Sequence, residues 1–413
     1  EYGVENGAFV KGASSTYSFS IAANRTTVTT TEVADSAEEN DNVIKTVYCF
    51  DDDGNVISEY AYSADTGNDA VSGSGSGINP YLSDGGVKSI RNVINLIKDG
   101  NFECACKETG ESNFWTATSN VVSPSSAMPI KSQDYSEFGR CCMEIVSKDP
   151  DASALGVYQQ MAALPAGEYT FSCYVKPETD IIGNPYNNLG AYIRVVDAQN
   201  NIIAESEHLT NKESSYYRLI LPFTLTSSQE IKVMLLVNGC GEVLFDGAQL
   251  ENNPFASEFN MIENASFEEE YAWEKSFGNG KTTYAFDGES VMILPGNIDL
   301  KRQGKQTIYP RLSKDVRETF TLSGWAKGSD CLPNRKDEEY SPQFRLKAKL
   351  YYADKTESEE AYADFSPCCD EWQYTSVQFS KSKYAELSKI EVVCEYNYNS
   401  GSALFDSIQL VRD

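Results

Sequence analysis

NLIKDGNFE, at residues 95–103, returns as NMIENASFE at residues 260–268. Both segments read asparagine, two apolar residues, a polar turn and Phe-Glu. Phe102 and Phe267 are 165 residues apart (267 − 102), and Asp246 and Asp406, which end two later LFD segments, are 160 apart (406 − 246). Because the two offsets nearly agree, a whole domain is repeated, at about 160 residues per copy, which is a normal domain size.

The segments between these landmarks read as strands in the same order in both copies. GEYTFSCYVKP (167–177) aligns with ETFTLSGWAKG (318–328), and EIKVMLLVN (230–238) aligns with KIEVVCEYN (389–397). Short β-branched and aromatic runs separated by turns are typical of antiparallel sandwiches or barrels, and no long helical period competes. We therefore predict an all-β fold with two tandem antiparallel β-sandwiches.

Composition divides the chain into four parts. We predict a small β region rich in hairpins at residues 1–75 and a Gly/Ser-rich linker at residues 76–92. The two sandwiches are predicted at residues 93–251 and 259–413. Asp51-Asp52-Asp53-Gly54-Asn55 lies between two strands and predicts a hairpin turn. An EF-hand loop is excluded there, because Val56 occupies the glycine position and Tyr62 the closing glutamate. The short junction between the sandwiches should limit their relative freedom.

The charge of the chain excludes several kinds of partner. The formal net charge is −27, with 34 Lys and Arg against 61 Asp and Glu. Nucleic acids and anionic membrane surfaces need clustered cations, so neither is expected. No apolar run is long enough for a transmembrane helix. An acidic surface suits a neutral ligand such as a glycan, or calcium, although solubility alone explains it equally well. The chain starts without a signal peptide, and we expect it to be part of a longer protein.

The 11 cysteines leave at least one thiol unpaired, and no CxxC pair suggests a zinc site. The repeat alignment places apolar or small residues opposite Cys142, Cys173 and Cys394, which predicts buried free thiols. A disulfide from Cys240 to Cys104 or Cys106 is the alternative for the opening and closing strands.

Several of these motifs carry a resemblance to a known family. The opening NLIKDGNFE, the tryptophans Trp115 and Trp273, the segment PAGEYTFSCYVKP and the closing LFDGAQLE resemble jelly-roll carbohydrate-binding modules of families 4, 9 and 22. The resemblance covers both repeats and implies two jelly-roll sandwiches that bind glycans. TVYCFDDDGNVISEYAYS (46–63) is similar to the tyrosine-rich YD units of RHS-type bacterial surface proteins. That similarity implies a secreted or cell-wall attached parent protein.

The resemblance also implies one structural calcium ion in each repeat. Its ligands would be Glu103 and Asp246 in the first repeat, and Glu268 and Asp406 in the second. Carboxylate oxygens on adjacent strands suit Ca²⁺. The second aspartate that often follows in the family is absent here, and the two glutamates could instead accept hydrogen bonds from the backbone.

Sugar binding needs aromatic faces and polar groups on one sheet surface, and strand alternation predicts which residues face outward. In the first repeat these are Tyr158, Gln160, Tyr174, Lys176, Tyr192 and Arg194, and in the second Trp325 and Arg345. Trp115, Trp273 and Trp372 are expected to pack inside rather than to stack on sugar.

Catalysis has little support in the sequence. The single histidine, His208, has no partner at an interpretable spacing and is expected at the surface. The acids of FEEEYAWE near Trp273 alternate faces on a strand and do not form an acid–base pair. We therefore predict a non-catalytic protein that binds a glycan or polysaccharide. The alternative is a spacer or adhesion module that contacts other surface proteins and has no sugar site.

Overall fold

The structure is a computed structural model of the chain. It describes residues 2–5, 8–11, 14–20, 25–32, 42–50, 56–64, 94–103, 114–118, 127–131, 135–254, 256–275, 279–281, 290–310, 318–329, 342–353, 358–365, 372–381 and 386–412. Most of these residues form antiparallel strands, and a short 3₁₀ turn lies at Pro185–Asn187. The predicted all-β class is confirmed.

The amino-terminal strands form two small sheets. Strand β1 (Tyr2–Glu5) pairs with β2 (Ala8–Lys11), and a four-stranded meander follows. The meander comprises β3 (Ser14–Ser20), β4 (Arg25–Glu32), β5 (Asn42–Phe50) and β6 (Val56–Ala64). Strands β5 and β6 pair antiparallel, as a hairpin requires. The predicted turn between them, 51–55, and the linker, 76–92, lie outside the described residues.

The first repeat is built from two five-stranded sheets. The first front sheet has the order β13-β12-β15-β10-β7, and the first back sheet the order β14-β11-β16-β9-β8. The strands are β7 (Thr116–Ala117), β8 (Ala127–Lys131), β9 (Cys141–Ser147), β10 (Leu155–Leu164), β11 (Gly167–Pro177), β12 (Gly190–Asp197), β13 (Ile202–Glu205), β14 (Tyr217–Leu225), β15 (Gln229–Asn238) and β16 (Gly241–Glu251).

The second repeat has the same pair of sheets. The second front sheet has the order β17-β20-β25-β22-β23, and the second back sheet the order β18-β19-β26-β21-β24. The strands are β17 (Glu274–Lys275), β18 (Asn279–Lys281), β19 (Ser290–Pro295), β20 (Gln303–Ile308), β21 (Thr319–Ser329), β22 (Gln343–Tyr352), β23 (Glu359–Asp364), β24 (Gln373–Ser380), β25 (Leu387–Asn397) and β26 (Ser402–Arg412).

Alternating side chains from both sheets of a repeat fill one core. In the first repeat, Ile193 and Val195 of the front sheet share a buried cluster with Phe171, Cys173 and Val175 of the back sheet. Burying an apolar side chain of this size contributes about 1.5–3 kcal/mol. Successive long strands pass from one sheet to the other, which gives the sandwich its jelly-roll character.

The opening motif ties the start of each repeat to its last strand. Asn95 Oδ1 accepts hydrogen bonds from the backbone N–H groups of Ile97 and Leu250, each at 3.0 Å, and Asn95 Nδ2 donates to the Ala248 carbonyl at 2.9 Å. Asn260 makes the same three bonds in the second repeat. This bonding explains why both copies open on asparagine.

The aromatic residues of the motif anchor the turn that follows. Phe102 is buried with a positive φ of 56°, and its ring lies 5.5 Å from that of Trp115. Phe267 and Trp273 repeat the arrangement at 5.0 Å. Trp115 and Trp273 are both buried, as expected for packing residues. The two copies therefore share the backbone conformation of this turn as well as its sequence.

The cysteines are buried and free at the three positions that the repeat alignment predicted. Cys142, Cys173 and Cys394 are buried and free, as predicted. Cys240 is also free, so the alternative that paired it with Cys104 or Cys106 is wrong. Among the cysteines whose side chains the structure describes, Cys141 forms a disulfide, and its partner lies outside the described residues.

Side chains from both repeats meet beside the junction. The Phe138 ring lies 4.5 Å from that of Phe259 and belongs to the buried cluster of the second repeat. Arg412, at the end of β26, pairs with Glu137 at 2.6 Å. These contacts agree with the expectation that a short junction limits the freedom of the repeats.

Candidate functional site

The predicted ligand residues of the first repeat lie on two different sheets. Tyr158 and Gln160 (β10) and Tyr192 and Arg194 (β12) belong to the front sheet, whereas β11, with Tyr174 and Lys176, belongs to the back sheet. The single platform expected from the sequence is therefore wrong. Alternation shows which face of a strand is polar, but it does not show which sheet the strand joins.

A row of side chains crosses the outer face of the first front sheet. Tyr158, Met234, Arg194 and Glu205 lie opposite one another on β10, β15, β12 and β13. Tyr158 is half-buried, and Lys232 Nζ lies 5.4 Å from its ring centroid. Arg194 Nε donates to Glu205 Oε2 at 2.6 Å. An aromatic ring and an ordered ion pair thus share one surface.

A second row runs beside the first. Gln160 is exposed and lies opposite Lys232, and its Nε2 donates to Glu230 Oε2 at 3.2 Å. Lys232 Nζ donates to Asn200 Oδ1 at 2.8 Å. Tyr158 and Gln160 therefore share the outer face, as the sequence predicted.

Tyr192 points away from the core but is fully buried. The His208 ring stacks on it at 4.0 Å with an interplanar angle of 8°. Its hydroxyl donates to Asn238 Oδ1 at 3.1 Å, and burial raises the pKa of the phenol to about 12. The prediction that this ring is open to a sugar is wrong, because the segment after β13 covers it.

His208 is part of the face rather than a free surface residue. Its Nε2 lies 3.2 Å from Glu205 Oε1 and 3.1 Å from Asn188 Nδ2, and its side chain is largely buried. Partial burial acts to raise the pKa of Glu205, but hydrogen bonds from Arg194 and His208 hold that pKa below the ordinary value. No local pattern indicates this network, since its members meet only through the fold.

An exposed tyrosine stands at the end of this face. The side chain of Tyr186 is 93% exposed, and the Asn184 side chain accepts a bond from the Tyr186 N–H at 3.1 Å. Asn238, the last residue of β15, donates to the carbonyls of Asn187 and Asn188 at 2.9 and 3.0 Å. The turn is therefore fixed to the sheet while the ring stays free. Strand alternation missed Tyr186 because it lies in a loop.

The back-sheet residues have other roles. Tyr174 packs edge-on against Phe138 at 5.0 Å, and the Arg218 guanidinium lies 5.2 Å from its ring. This places Tyr174 beside the repeat junction. Lys176 pairs with Glu178 at 2.5 Å.

The predicted residues of the second repeat are also separated. Trp325 is buried on β21 of the back sheet, 5.3 Å from the ring of Tyr374, so its predicted outward exposure is wrong. Arg345 lies on β22 of the front sheet, where its guanidinium is 4.1 Å from the ring of Tyr362. Trp372 is half-buried.

The predicted calcium ligands of the first repeat are bonded to the backbone. Glu103 Oε1 accepts from the N–H groups of Arg140 and Cys141, and Asp246 accepts from those of Glu137, Phe138 and Gly247 at 2.7–2.9 Å. Burial raises the pKa of Asp246 well above its ordinary range. Both carboxylates thus accept backbone N–H donors, and the nearby charge of Glu103 adds to the rise in the pKa of Asp246.

The second repeat shows the same kind of bonding. Glu268 Oε1 accepts from Ser290 N–H at 2.9 Å, and Asp406 Oδ1 accepts from Ser407 N–H at 2.7 Å. In the part of the chain that the structure describes, no three or more His, Cys, Asp or Glu side chains are grouped to hold a metal. Glu103 and Glu268 therefore accept hydrogen bonds from the backbone, as in the alternative for the two glutamates, and the two calcium ions stay predictions.

Among the described residues, no helix has the length and apolar character needed to cross a membrane.

Neither a protein-family model nor a curated protein matches the chain. Among solved structures, the CBM22-1–CBM22-2 tandem of Paenibacillus barcinonensis Xyn10C is 12% identical and covers 74% of this chain and 95% of its own, with a TM-score of 0.28. A family 16 carbohydrate-binding module is 19% identical, and the match covers 37% of this chain and 99% of the module, with a TM-score of 0.28. The tandem CBM51 modules of Sp3GH98 from Streptococcus pneumoniae are 9% identical, and the match covers 73% of this chain and 98% of theirs, with a TM-score of 0.21. Similarity at this level does not establish what this chain binds.

Proposed function

We propose that the protein binds a glycan without catalysis, through the outer face of the first front sheet. The observation that carries the proposal is the row of Tyr158, Met234, Arg194 and Glu205, where a partly open ring adjoins an ordered ion pair. A sugar offers an apolar face to such a ring and hydroxyl groups to the polar side chains around it. Tyr186 supplies a second ring at the end of the face.

Charge on this face favours a neutral ligand. Arg194 is paired with Glu205, and Lys232 is bonded to Asn200. The chain as a whole carries −27, which repels polyanions at a distance. The hydroxyl groups of a sugar can form hydrogen bonds with the amide of Gln160 and with the paired charged groups, and no ion pair has to break. A neutral polysaccharide is therefore the ligand class that fits.

The sequence supports a setting for this activity. Residues 46–63 are similar to YD units of RHS-type proteins, and both repeats resemble modules that serve in secreted proteins. We propose that the chain is part of a large bacterial surface or secreted protein, where glycan binding would hold it at a cell wall or host surface.

The test is a binding screen with Tyr158→Ala. Loss of the ring should weaken glycan binding at least tenfold, or ~1.4 kcal/mol, which glycan-array and affinity-gel measurements resolve. Tyr217→Ala is the control, because Tyr217 is an exposed tyrosine of the same repeat that lies on β14 of the back sheet. Equal binding by both variants and the unaltered chain would contradict the proposed site.

The second candidate is a spacer or protein-adhesion role without a sugar site. The contacts of Phe138 and Arg412 across the junction favour it, because they hold the repeats together as a rigid spacer would. This role predicts no binding to any plant, host or microbial glycan while the fold is intact. The same screen therefore distinguishes the two functions.

A further inference from the structure

The two front sheets can be compared position by position. Gln159 bonds to the backbone of Lys98 through both atoms of its amide, and Gln306 bonds to the backbone of Glu263 in the same way. These glutamines align β10 with β20. The aligned segments EIKVMLLVN and KIEVVCEYN align β15 with β25, and the strands paired to these two, β12 and β22, align in turn.

Three polar side chains meet in the second front sheet at positions where the first repeat has other chemistry. The three are Gln303 on β20, Glu395 on β25 and Lys347 on β22, and the equivalent residues of the first repeat are Gly156, Leu236 and Arg194. The first repeat is folded without a carboxylate or an amide side chain here. The fold itself therefore does not require this group of three.

Glu395 lies between the other two side chains. It is 1% exposed, and its Oε1 lies 2.5 Å from Lys347 Nζ and accepts from Gln303 Nε2 at 2.8 Å. Because both nitrogen atoms contact the same oxygen atom, the lysine amine and the glutamine amide lie side by side. A carboxyl group in this position can pass protons between them.

The carboxyl group and the amine are both buried. Lys347 is 7% exposed, whereas Gln303 is half-buried. Glu395 Oε2 accepts no hydrogen bond from the residues that the structure describes. A buried ion pair with an unsatisfied oxygen compensates poorly for lost hydration, so burial favours transfer of one proton from the ammonium to the carboxylate. The amine that results is a nucleophile.

The neighbouring cations of β22 pair with more exposed carboxylates. Arg345 pairs with Asp364 at 2.7 Å, and Lys349 pairs with Glu360 at 3.2 Å. Lys347 Nζ is 3.7 Å from Glu360 Oε2, farther than from its buried partner. Lys347 therefore has its closest ion-pair contact with the buried carboxyl group.

We propose that Lys347 and Gln303 form an intramolecular amide crosslink, with Glu395 as the proton carrier. The Nζ atom of Lys347 attacks the side-chain carbonyl carbon of Gln303. A bond from Nζ to Cδ forms, and the bond from Cδ to Nε2 breaks. The nitrogen of the glutamine side chain is the leaving group.

The protons of this step balance. The lysine ammonium gives up two protons, the first of them to Glu395 before the attack. Both protons end on the leaving nitrogen, which departs as ammonium, and Glu395 returns to the carboxylate form. No atom changes its oxidation state, so the reaction needs no oxidant or reductant. The half-buried position of Gln303 gives the leaving group a way out.

The crosslink would join β20 to β22 across β25, the middle strand of the sheet. Gln303 and Lys347 are 44 residues apart (347 − 303). A covalent bond that closes a loop of this length restricts the unfolded chain and stabilises the fold. This role goes beyond glycan binding and does not depend on it.

The test is the intact mass of the full chain, measured after denaturation and reduction of disulfides. We expect the unaltered chain to be lighter than its sequence mass by one ammonia molecule. Trypsin should then release residues 303–305 joined to residues 346–349, because the modified lysine is no longer cut. The sequence mass, with these residues in separate linear peptides, would overturn the proposal.

Variants assign the roles of the residues. Lys347→Arg removes the nucleophile and installs the residue of the first repeat, so we expect the full sequence mass. Lys349→Arg, on the same strand, is the matched control and should keep the loss of ammonia. Glu395→Gln nearly preserves the side-chain shape but carries no proton, and we expect it to slow crosslinking by about a hundredfold or more.

The remaining outcomes also decide the matter. Loss of ammonia that persists in Lys347→Arg would place the modification elsewhere and overturn the crosslink. Crosslinking of Glu395→Gln at the unaltered rate would overturn its role as proton carrier. If a variant misfolds, the joined peptide of the unaltered chain still decides whether the bond exists. The mass does not depend on a ligand, so a failed glycan screen leaves this result unaffected.

Discussion

At the scale of single residues, the buried carboxyl group of Glu263 contacts the first repeat and makes the stability of the folded chain depend on pH. Its oxygens accept from the N–H groups of Asp99 and Gly100 in the first repeat, at 3.0 and 3.1 Å. Burial, reinforced by the neighbouring Asp99, raises the pKa of Glu263 to about 7, although hydrogen bonds from Tyr271 and the backbone oppose the shift. The group therefore holds a proton in the folded chain that it has lost in the unfolded one.

The sign of the pH dependence follows from this shift. The unfolded carboxyl loses its proton near its ordinary pKa of 4.5 and the folded one only near 7, so its contribution to stability falls as pH rises between these values. The full effect is about 3 kcal/mol. We expect the free energy of unfolding of Glu263→Gln to change less with pH in this range, as measured by urea unfolding at pH 4.5–8. An unchanged slope in the variant would contradict the role given to Glu263.

Residue orientation was predictable where one strand decides it. Alternation correctly placed Ile193 and Val195 inside and Tyr158 outside. It failed for Tyr192, because His208 arrives from a separate segment and covers the ring. Contacts of this kind leave no local pattern, so a sequence cannot show whether an outward residue stays open.

At the scale of elements, the side chain of Asn260 holds the start of the second repeat against β26. It is buried, and with described residues it makes hydrogen bonds to Ile262, Leu410 and Ile408. Asn260→Ala removes these three bonds, at about 1 kcal/mol each, so we expect the free energy of unfolding to fall by ~3 kcal/mol. Asn201→Ala, in an exposed turn, is the control, and calorimetry measures both. Equal small losses in the two variants would show that Asn260 is not an anchor.

The strands were predictable from composition, but their distribution between sheets was not. Strands β11 and β12 are neighbours in sequence, yet they join opposite sheets. Tyr174 and Tyr192 were therefore assigned to one surface although they lie on two. The repeat alignment carried more information, since it correctly predicted that Cys142, Cys173 and Cys394 are buried free thiols. The family resemblance correctly predicted that Trp115 and Trp273 are buried.

At the scale of the whole molecule, backbone bonding of the carboxylates predicts a fold that does not depend on calcium. Glu103 and Asp246 are occupied by N–H donors. We expect excess EDTA to leave the melting temperature of the full chain unchanged, as followed by circular dichroism. A fall that added Ca²⁺ reverses would show that these carboxylates rearrange around a metal.

The central claim is that a glycan binds the outer face of the first front sheet. Hydrogen exchange measured by mass spectrometry, with and without a binding oligosaccharide, tests it most directly. We expect protection in β10, β12 and the turn at Pro185–Asn187, with β11 and β14 of the back sheet unchanged. Protection confined to the back sheet, or in neither sheet of the first repeat, would contradict the claim.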